Sequence, residues 1–535
     1  MTQRLKQPLI LLVLCASVLL PGLGRLTMLR QQELRVALAA RSMAETGNWF
    51  VPQFRDQPRL KKPPLMYWIV SAFFRAAGTT TSPLVARLPS ALFGAALILA
   101  IYRGGAMLVG RRPAFLGSLV AATSFVFMRH ARLAETDIAL CLFTSLAVLC
   151  GYAAMTGPPS RPRWIYTGLF AGLGFLVKGP AALALPLLAL ATFAALSPAH
   201  RKTFLSRRAL SALGVFALVA APWYIAVVFS SLTHAAADRA ITTELQATFL
   251  GENHPGPIYY YMFNLLKMML PWSVLLPTAI WAIWRYVRVH RRIKFLLIWF
   301  LTTFAALSLV GNKQDHYSAL LLPQSALMIG WSLCHRFKRQ PSWMARLPTW
   351  FLRAMPLVYA FAGLCLVFYP CMRPGLRASS FWAFGLLLLA SGILLGQVRP
   401  LPTRNGLMAV TVLMTAVGLH SYVFLLGDLH RPPALIPVFA RYAEPYVAKA
   451  RRVYAIGARG SQLEFYLGSK ASFATNFDRA WREAESGDLI AVSGDRARPF
   501  PSNALFRTPV VDLWRQDLRC ALYVKSAEPK PDDAP

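Results

Sequence analysis

The sequence predicts a polytopic α-helical membrane protein of about 13 transmembrane helices (1–427) with a small external α/β domain behind it (428–535). Three observations carry this. The 535 residues are 56% hydrophobic and only 15% charged, with a mean hydropathy of +0.45, whereas an ordinary soluble domain is about 25% charged. Apolar runs long enough to span a bilayer as helix recur along the first four fifths of the chain. After residue 428 such runs stop, and this last segment holds more than half of the chain's 22 acidic residues.

The expected spans lie at 8–24, 84–109, 113–128, 136–155, 162–178, 179–196, 209–230, 263–284, 295–310, 316–334, 351–370, 380–396 and 406–427. Short cytoplasmic loops collect Lys and Arg. Arg111 and Arg112, Arg161 and Arg163, Arg201 to Arg208, Arg285 to Lys294, and Arg336 to Arg339 alternate onto the side of Arg4 and Lys6. The N-terminus is thus expected in the cytoplasm and the C-terminal domain outside. The first loop, 25–83, breaks the charge rule with Arg41, Arg55, Arg59 and Lys62, as long translocated loops do. The first apolar segment is read as an uncleaved helix, since no small-x-small cleavage site follows it.

A net charge of +35 would suggest nucleic acid in a soluble protein. Here it is topogenic or faces anionic lipid headgroups, so membrane lipids are expected partners and nucleic acid is not. The seven cysteines form no CxxC pair and offer neither a metal nor a disulfide framework.

The acids are more informative. Before residue 428 they are Glu33, Glu45, Asp56, Glu135, Asp137, Asp238, Glu244, Glu252 and Asp315, all expected in outward loops or at outward helix ends. A basic cytoplasmic face alone explains several of them. It explains poorly Asp137, which opens an apolar helix in "RHARLAETDIAL", and Asp315 in the short connection "GNKQDHY". The same rim gathers Lys62 before Pro63-Pro64, Arg129 and Arg132, Lys178 in "FLVKGP", His254, Tyr259 and Tyr260 in "ENHPGPIYYY", and Lys313, His316 and Tyr317. Snorkelling to the headgroups suffices for Arg75 and Arg129. Lys178, between two apolar runs with almost no loop, has little freedom to leave. Carboxylates beside cations suit an anionic substrate such as a lipid phosphate.

Within the first loop, Leu34, Ala37, Leu38 and Met43 recur at helical spacing, and Gly47-Asn48 ends the helix. After Pro63-Pro64, "LMYWIVSAFF" is too short to span and is read as a second interfacial helix.

The collinear segments "ELRVALAARSMAETGNWFVPQF", "PRLKKPPLMYW", "RLAETDIAL", "GLGFLVKGP", "HPGPIYYYMFNLLKMMLPWSVLLP" and "GNKQDHYSALLLPQSALMIG", within residues 25–330, resemble the aminoarabinose lipid A transferases and the related protein O-mannosyltransferases. These are membrane glycosyltransferases of the GT-C class. The resemblance implies a GT-C architecture in a bacterial inner membrane. It also implies transfer, with inversion, of a sugar from a polyprenyl-phosphate (undecaprenyl-phosphate) donor to a lipid or glycan acceptor at the periplasmic face. It points for catalysis to the first-loop positions Gln32 and Glu33 and to Asp137, and for the lipid phosphate to Lys62 first, with Lys178 and Lys313 next; the rim and loop residues Arg35, Tyr317, His254 and Tyr260 complete the expected substrate-binding set. A monomer is expected. No glycine-rich nucleotide loop is present, no nucleotide sugar is needed, and no cofactor is assigned, a divalent metal being left open.

Two positions depart from the family pattern. Gln32 stands where the family has an aspartate before Glu33, and Lys61 replaces the acid before Lys-Pro-Pro, which undermines metal binding there. Glutamine is no base. Three outcomes follow: Glu33 or Asp137 supplies the base, the acceptor is already an anion that needs only orientation, or transfer is lost. Helix capping or a salt bridge to Arg35 is the structural alternative for Glu33.

In the C-terminal segment "RRVYAIGA", "DLIAVSG" and "CALYVKS" read as strands and "GSQLEFYLG" and "NFDRAWREAESG" as helices, with a disordered "EPKPDDAP" end. A flippase of lipid-linked sugar is the competing class. It calls for charges near mid-membrane, whereas these acids sit at one rim.

Overall fold

The computed structural model describes residues 3–229, 255–335, 342–372, 378–397, 431–495 and 511–524, together with 412 and 418. Within these ranges it omits isolated positions, among them Asp56 and Lys61, and the stretch 475–479. His254, Asp238, Glu244, Glu252, nearly all of the span expected at 406–427 and the C-terminal tail lie outside the described residues.

In chain order the helices are α1 (Gln3–Leu19), α2 (Gln31–Thr46), α3 (Leu65–Ala77), α4 (Pro83–Val109), α5 (Arg111–Ala122), α6 (Phe125–Ala131), α7 (Asp137–Thr156), α8 (Arg161–Lys178), α9 (Ala181–Ala195), α10 (Pro198–Phe204) and α11 (Arg207–Phe229). They continue as α12 (Tyr260–Met268), α13 (Leu276–Tyr286), α14 (Arg291–Leu309), α15 (Leu322–Cys334), α16 (Ser342–Met372), α17 (Ala378–Gln397), α18 (Arg431–Lys449) and α19 (Gly460–Leu467). Two 3-10 helices, Trp272–Leu275 and Asp315–Leu321, lead into α13 and α15.

The chain forms two compact units. One comprises residues 1–21, 60–66 and 90–422, and the other residues 22–59, 67–89 and 423–535. Most of the first loop therefore belongs to the same unit as the C-terminal segment and the start of α4.

The first unit is helical. Among the described residues α4, α7, α11 and α14 are long and apolar enough to cross a membrane, and two bent pairs raise that number to six. Of the expected spans, those at 113–128 and 263–284 are bent in the described residues, and the breaks have local causes. Between α5 and α6 the axis turns by 63°. There the hydroxyls of Thr123 and Ser124 donate to the carbonyls of Leu119 and Val120, and the amide of Phe125 leaves the ladder for Leu270 O. The expected span 263–284 breaks by 120° at Pro271, which has no amide hydrogen to continue a helix. The span expected from 316 begins as a 3-10 helix and becomes α-helical only at Leu322. α5 and α15 pack at backbone contact, for a Cβ on Gly330 would lie 2.3 Å from Pro113 O.

In the second unit, five strands run in the order β4-β3-β5-β7-β6, from β3 (Val453–Gly457), β4 (Ala471–Phe473), β5 (Leu489–Asp495), β6 (Val511–Arg515) and β7 (Leu518–Val524). β1 (Gln53–Phe54) and β2 (Gln57–Pro58) form a separate two-residue ladder in the first loop. β3 pairs in parallel with β4 and β5, and β7 is antiparallel to both β5 and β6. Alternation sorts the side chains. Val453, Ala455, Leu489, Ala491 and Leu522 pack with Ile436, Phe439 and Ala443 of α18, while Tyr454, Ile456, Ile490 and Val492 form the opposite face.

α2 is fastened to this domain through Arg41. Its buried guanidinium donates to the carbonyls of Glu464 (2.9 Å), Phe465 and Thr80 (3.2 Å). Two of these carbonyls lie near the C-terminal end of α19, where a cation also meets the helix dipole. Burial pushes the Arg41 pKa down to about 10 against the opposing charges of Glu45 and Glu464. Arg55 lies 3.4 Å from the ring centroid of Phe473 and donates to Ser461.

Candidate active site

The first unit gathers its buried charges around the start of α7. That helix has 20 residues and α8 has 18, joined by a short connection. At 1.5 Å per residue they rise about 30 Å and return about 27 Å. The last residue of α8 therefore comes level with the first of α7, and Lys178 Nζ lies 2.5 Å from Asp137 Oδ1. Gly179 ends α8 with φ +82°, a conformation that favours glycine, just beyond the lysine. Asp137 takes the helix N-terminus and Lys178 a helix C-terminus, so each dipole favours the charge it holds. Both are largely buried, with side chains 3% and 11% exposed.

Three elements close around the pair. The 3-10 helix brings His316 Nε2 to 3.7 Å from Asp137 Oδ1, and places the Tyr317 ring with its centroid 4.7 Å from Lys178 Nζ. Cys141 Sγ donates to Ala319 O and ties this helix to α7. From the end of α6 comes His130, wholly buried, whose Nδ1 lies 3.4 Å from Glu135 Oε2. Arg132, just after α6, donates to the carbonyls of Val18, Leu19 and Pro21 at the end of α1 and so fixes the loop that carries Glu135. Partly buried Lys62 adds its positive charge to the field at Asp137.

A second group in this unit is more open. Asp315 accepts hydrogen bonds from Tyr260 (2.5 Å) and Lys267 (3.1 Å), with Arg129 at 3.9 Å. Asn264 holds the backbone by donating to Asp315 O. Burial opposes ionisation of Asp315, yet the hydrogen bonds from Tyr260 and Lys267 and the charges of Lys267 and Arg129 outweigh it and hold the carboxyl below its usual range. Lys267 is 54% exposed and Arg129 26%, so both cations remain accessible to an anion.

Lys313 is placed differently. Its buried ammonium donates to the carbonyls of Leu307 (3.2 Å), Ser308 (2.5 Å) and Val310 (2.6 Å), capping the C-terminal end of α14.

Glu33 belongs to the second unit. It lies in the first turn of α2, and its two oxygens accept from Arg87 Nε (2.6 Å) and Nη2 (2.9 Å) in a fork, both residues buried. Arg87 also donates to Leu23 O. The forked partner is thus Arg87, 54 residues on, while the neighbouring Arg35 is exposed. Gln32 is partly buried beside it. Tyr466 OH accepts from Met28 N, and burial pushes that phenol up to about 12.

Of the residues selected from the sequence, the structure brings together Asp137, Lys178, Tyr317 and Lys62, pairs Tyr260 with Asp315, and places Glu33 on Arg87. Sequence reasoning did not select His130, Lys267 or Arg87, and it noted Glu135 and His316 at the rim without giving them a role in the site. A signal existed for two of them: His130 and Glu135 share the polar stretch "RHARLAETD" with Asp137.

The family described as dolichyl-phosphate-mannose-protein mannosyltransferase matches residues 61–225. The chain is 28% identical over 305 residues to an undecaprenyl phosphate-alpha-4-amino-4-deoxy-L-arabinose arabinosyl transferase of Proteus mirabilis, covering 56% of this chain and 54% of that one. Against the corresponding transferase of Aeromonas salmonicida it is 26% identical, covering 72% and 71%. The chain thus spans about half the length of the first relative. Among solved structures it is similar to ArnT from Cupriavidus metallidurans bound to undecaprenyl phosphate (TM-score 0.76, 18% identity, 98% and 99% of the two chains). It is also similar to the apo oligosaccharyltransferase of Archaeoglobus fulgidus (TM-score 0.55, 14% identity, 92% and 69%). The chain resembles GT-C membrane glycosyltransferases of the aminoarabinose transferase type.

Proposed function

We propose that this chain transfers a sugar from an undecaprenyl-phosphate donor to a lipid or glycan acceptor at the outward membrane face, inverting the anomeric centre. The observation that carries the reading is the Asp137 carboxylate. It is buried at a helix N-terminus with one oxygen on Lys178, and its other oxygen, Oδ2, makes no hydrogen bond. A carboxylate half used in this way is fixed in orientation and still able to accept a proton.

In the reaction, an acceptor oxygen attacks the anomeric carbon while the bond from that carbon to the lipid phosphate breaks. Asp137 Oδ2 takes the proton of a hydroxyl acceptor, and the leaving phosphate keeps the bonding electron pair as a lipid phosphate anion. Lys62, Lys267 and Arg129 are the cations proposed to meet that charge, and Tyr260 to orient the group through its hydroxyl. An acceptor that is itself a phosphate needs no base. Glu33, with both oxygens on Arg87, is proposed to hold α2 in place rather than to act as base. Lys313 is assigned to helix capping.

The test is reconstitution in liposomes with radiolabelled undecaprenyl-phosphate sugar and candidate acceptors. Sugar should move to the acceptor in the wild type, and Asp137→Asn should lower kcat by about 10²-fold or more. Movement of the labelled lipid across the bilayer without transfer would replace this reading with that of a flippase.

A further inference from the structure

Independently of the transfer reading, we infer that a groove between α4 and α7, lined by Arg103 and Arg163, seats one acyl chain of an anionic phospholipid and binds its headgroup phosphate. The groove has a volume of about 380 Å³, and apart from the two arginines its walls are apolar, among them Ala96 and Leu99 of α4 and Leu146 and Ala153 of α7. It lies within the first unit, at the end of α7 away from Asp137.

Spacing and small side chains make the groove. On α4, Ala96, Leu99, Arg103 and Met107 recur at helical intervals and share one face, as Leu146, Cys150 and Ala153 do on α7. Gly104 lets the two helices close behind that face, since a Cβ there would lie 2.4 Å from Leu149 Cδ1. Toward Asp137 the lining on α4 stops at Ala96, and one turn further Phe93 meets Phe143 edge-on with centroids 5.7 Å apart.

Length and charge select the occupant. From Ala96 to Met107 a helix rises about 16 Å, half of a hydrocarbon core roughly 30 Å thick and so the depth of one leaflet. Arg103 is exposed within α4, six residues before its last residue Val109, and makes no hydrogen bond or ion pair among the described residues. Arg163 uses Nη1 on the carbonyls of Ala153 (3.1 Å) and Pro158 (3.3 Å), and its other nitrogens make no hydrogen bond among the described residues. Nor does this end of the unit hold a counter-charge. The described acids of the first unit are Glu135, Asp137 and Asp315, all gathered with the start of α7, whereas Arg111, Arg112 and Arg161 add to the positive end. A lipid phosphate supplies what is missing, and guanidinium binds it in a fork. A zwitterionic headgroup brings its own cation and cancels much of that gain. The competing explanation is that Arg103 snorkels to headgroups of any kind while ordinary exchanging lipid fills the groove.

The experiment uses the full-length chain, purified in a mild detergent, delipidated and titrated with phosphatidylglycerol, phosphatidylcholine or undecaprenyl phosphate, with bound lipid counted by native mass spectrometry. The expected result is one phosphatidylglycerol per chain, held at least ~10-fold more tightly than phosphatidylcholine. Arg103→Gln/Arg163→Gln should reduce that preference to below ~3-fold, and Arg103→Gln alone should already lower it. Ala96→Phe fills the groove and should weaken both phospholipids. Arg207→Gln/Arg208→Gln, an equal loss of charge on α11, should change nothing and serves as the control. Equal affinity of the wild type for the two phospholipids overturns the inference, as does an unchanged preference in both folded arginine variants of the groove. An equal loss in the α11 control assigns binding to diffuse charge and overturns it too. So does undecaprenyl phosphate that displaces phosphatidylglycerol and whose own binding falls in Ala96→Phe.

Discussion

Glu33 and Asp137 are both carboxylates buried in the first turn of a helix, and each faces a buried cation. They differ in how much of their bonding capacity is used. Arg87 presents a fork that engages both oxygens of Glu33, whereas Lys178 is a point charge that engages one oxygen of Asp137. A saturated pair has reached its final state and contributes order. A half-saturated carboxylate in the same burial is held at a cost that only a proton, a substrate or a cation offsets. On the proposed function, the contrast separates a structural acid from a reactive one, although sequence reasoning had put both on the same footing.

The largest effect should come from breaking the reactive member. Asp137→Asn keeps the shape but removes the charge, and transfer per folded molecule should fall by about 10²-fold or more; because it also leaves buried Lys178 without its counter-charge, turnover is normalised to folded protein. Glu33→Gln should lose stability and keep turnover per folded molecule. Leaving Arg87 buried without its counter-charge costs about 3–5 kcal/mol, so the unfolding midpoint should drop sharply while turnover per folded molecule is largely kept. The double variant Glu33→Met/Arg87→Met should recover much of the lost stability, because it leaves no orphaned charge. If turnover per folded molecule collapses in Glu33→Gln as it does in Asp137→Asn, the distinction between the two acids is gone.

Arg41→Met comes next. It keeps the side-chain length but strips the carbonyls of Glu464, Phe465 and Thr80 of their donor. The expected loss is about 2 kcal/mol, read by chemical unfolding, with faster proteolysis of the segment 453–524. An unfolding curve that matches the wild type would show that α2 and the sheet domain hold together by apolar packing alone.

How far these relations could be read in the sequence depends on their range along the chain. Asp137 and Lys178 were legible as rim residues because helix length alone brings them level. The strands Val453–Gly457, Leu489–Asp495 and Leu518–Val524 overlap the three segments that read as strands. Partners fixed by tertiary packing were not legible: Glu33 reaches Arg87 across 54 positions, and Arg41 reaches Glu464 across 423. Nor were the helix breaks. Thr123-Ser124 and Pro271 lie within runs apolar enough to count as single spans, and hydropathy does not register a backbone amide that changes partner.

The smallest effect concerns Asp315, whose carboxylate is shared among Tyr260, Lys267 and Arg129 and is about one-third exposed. Its folded pKa lies below the ordinary value, so ionised Asp315 contributes stability that is fully present above the unfolded carboxyl pKa. That contribution is lost as pH falls through the folded value, in a window beginning near pH 4 and running below it. Solvent screening limits it to a few tenths of a kcal/mol up to about 1 kcal/mol. Unfolding midpoints of wild type and Asp315→Asn, measured from pH 7 down to about pH 3, should therefore differ at pH 7 and converge on acidification. Parallel curves would mean that the cations around Asp315 do not favour its charged form. Lys267 and Arg129 would then have no tested preference for a negative charge, and their assignment to the leaving phosphate would rest on exposure alone.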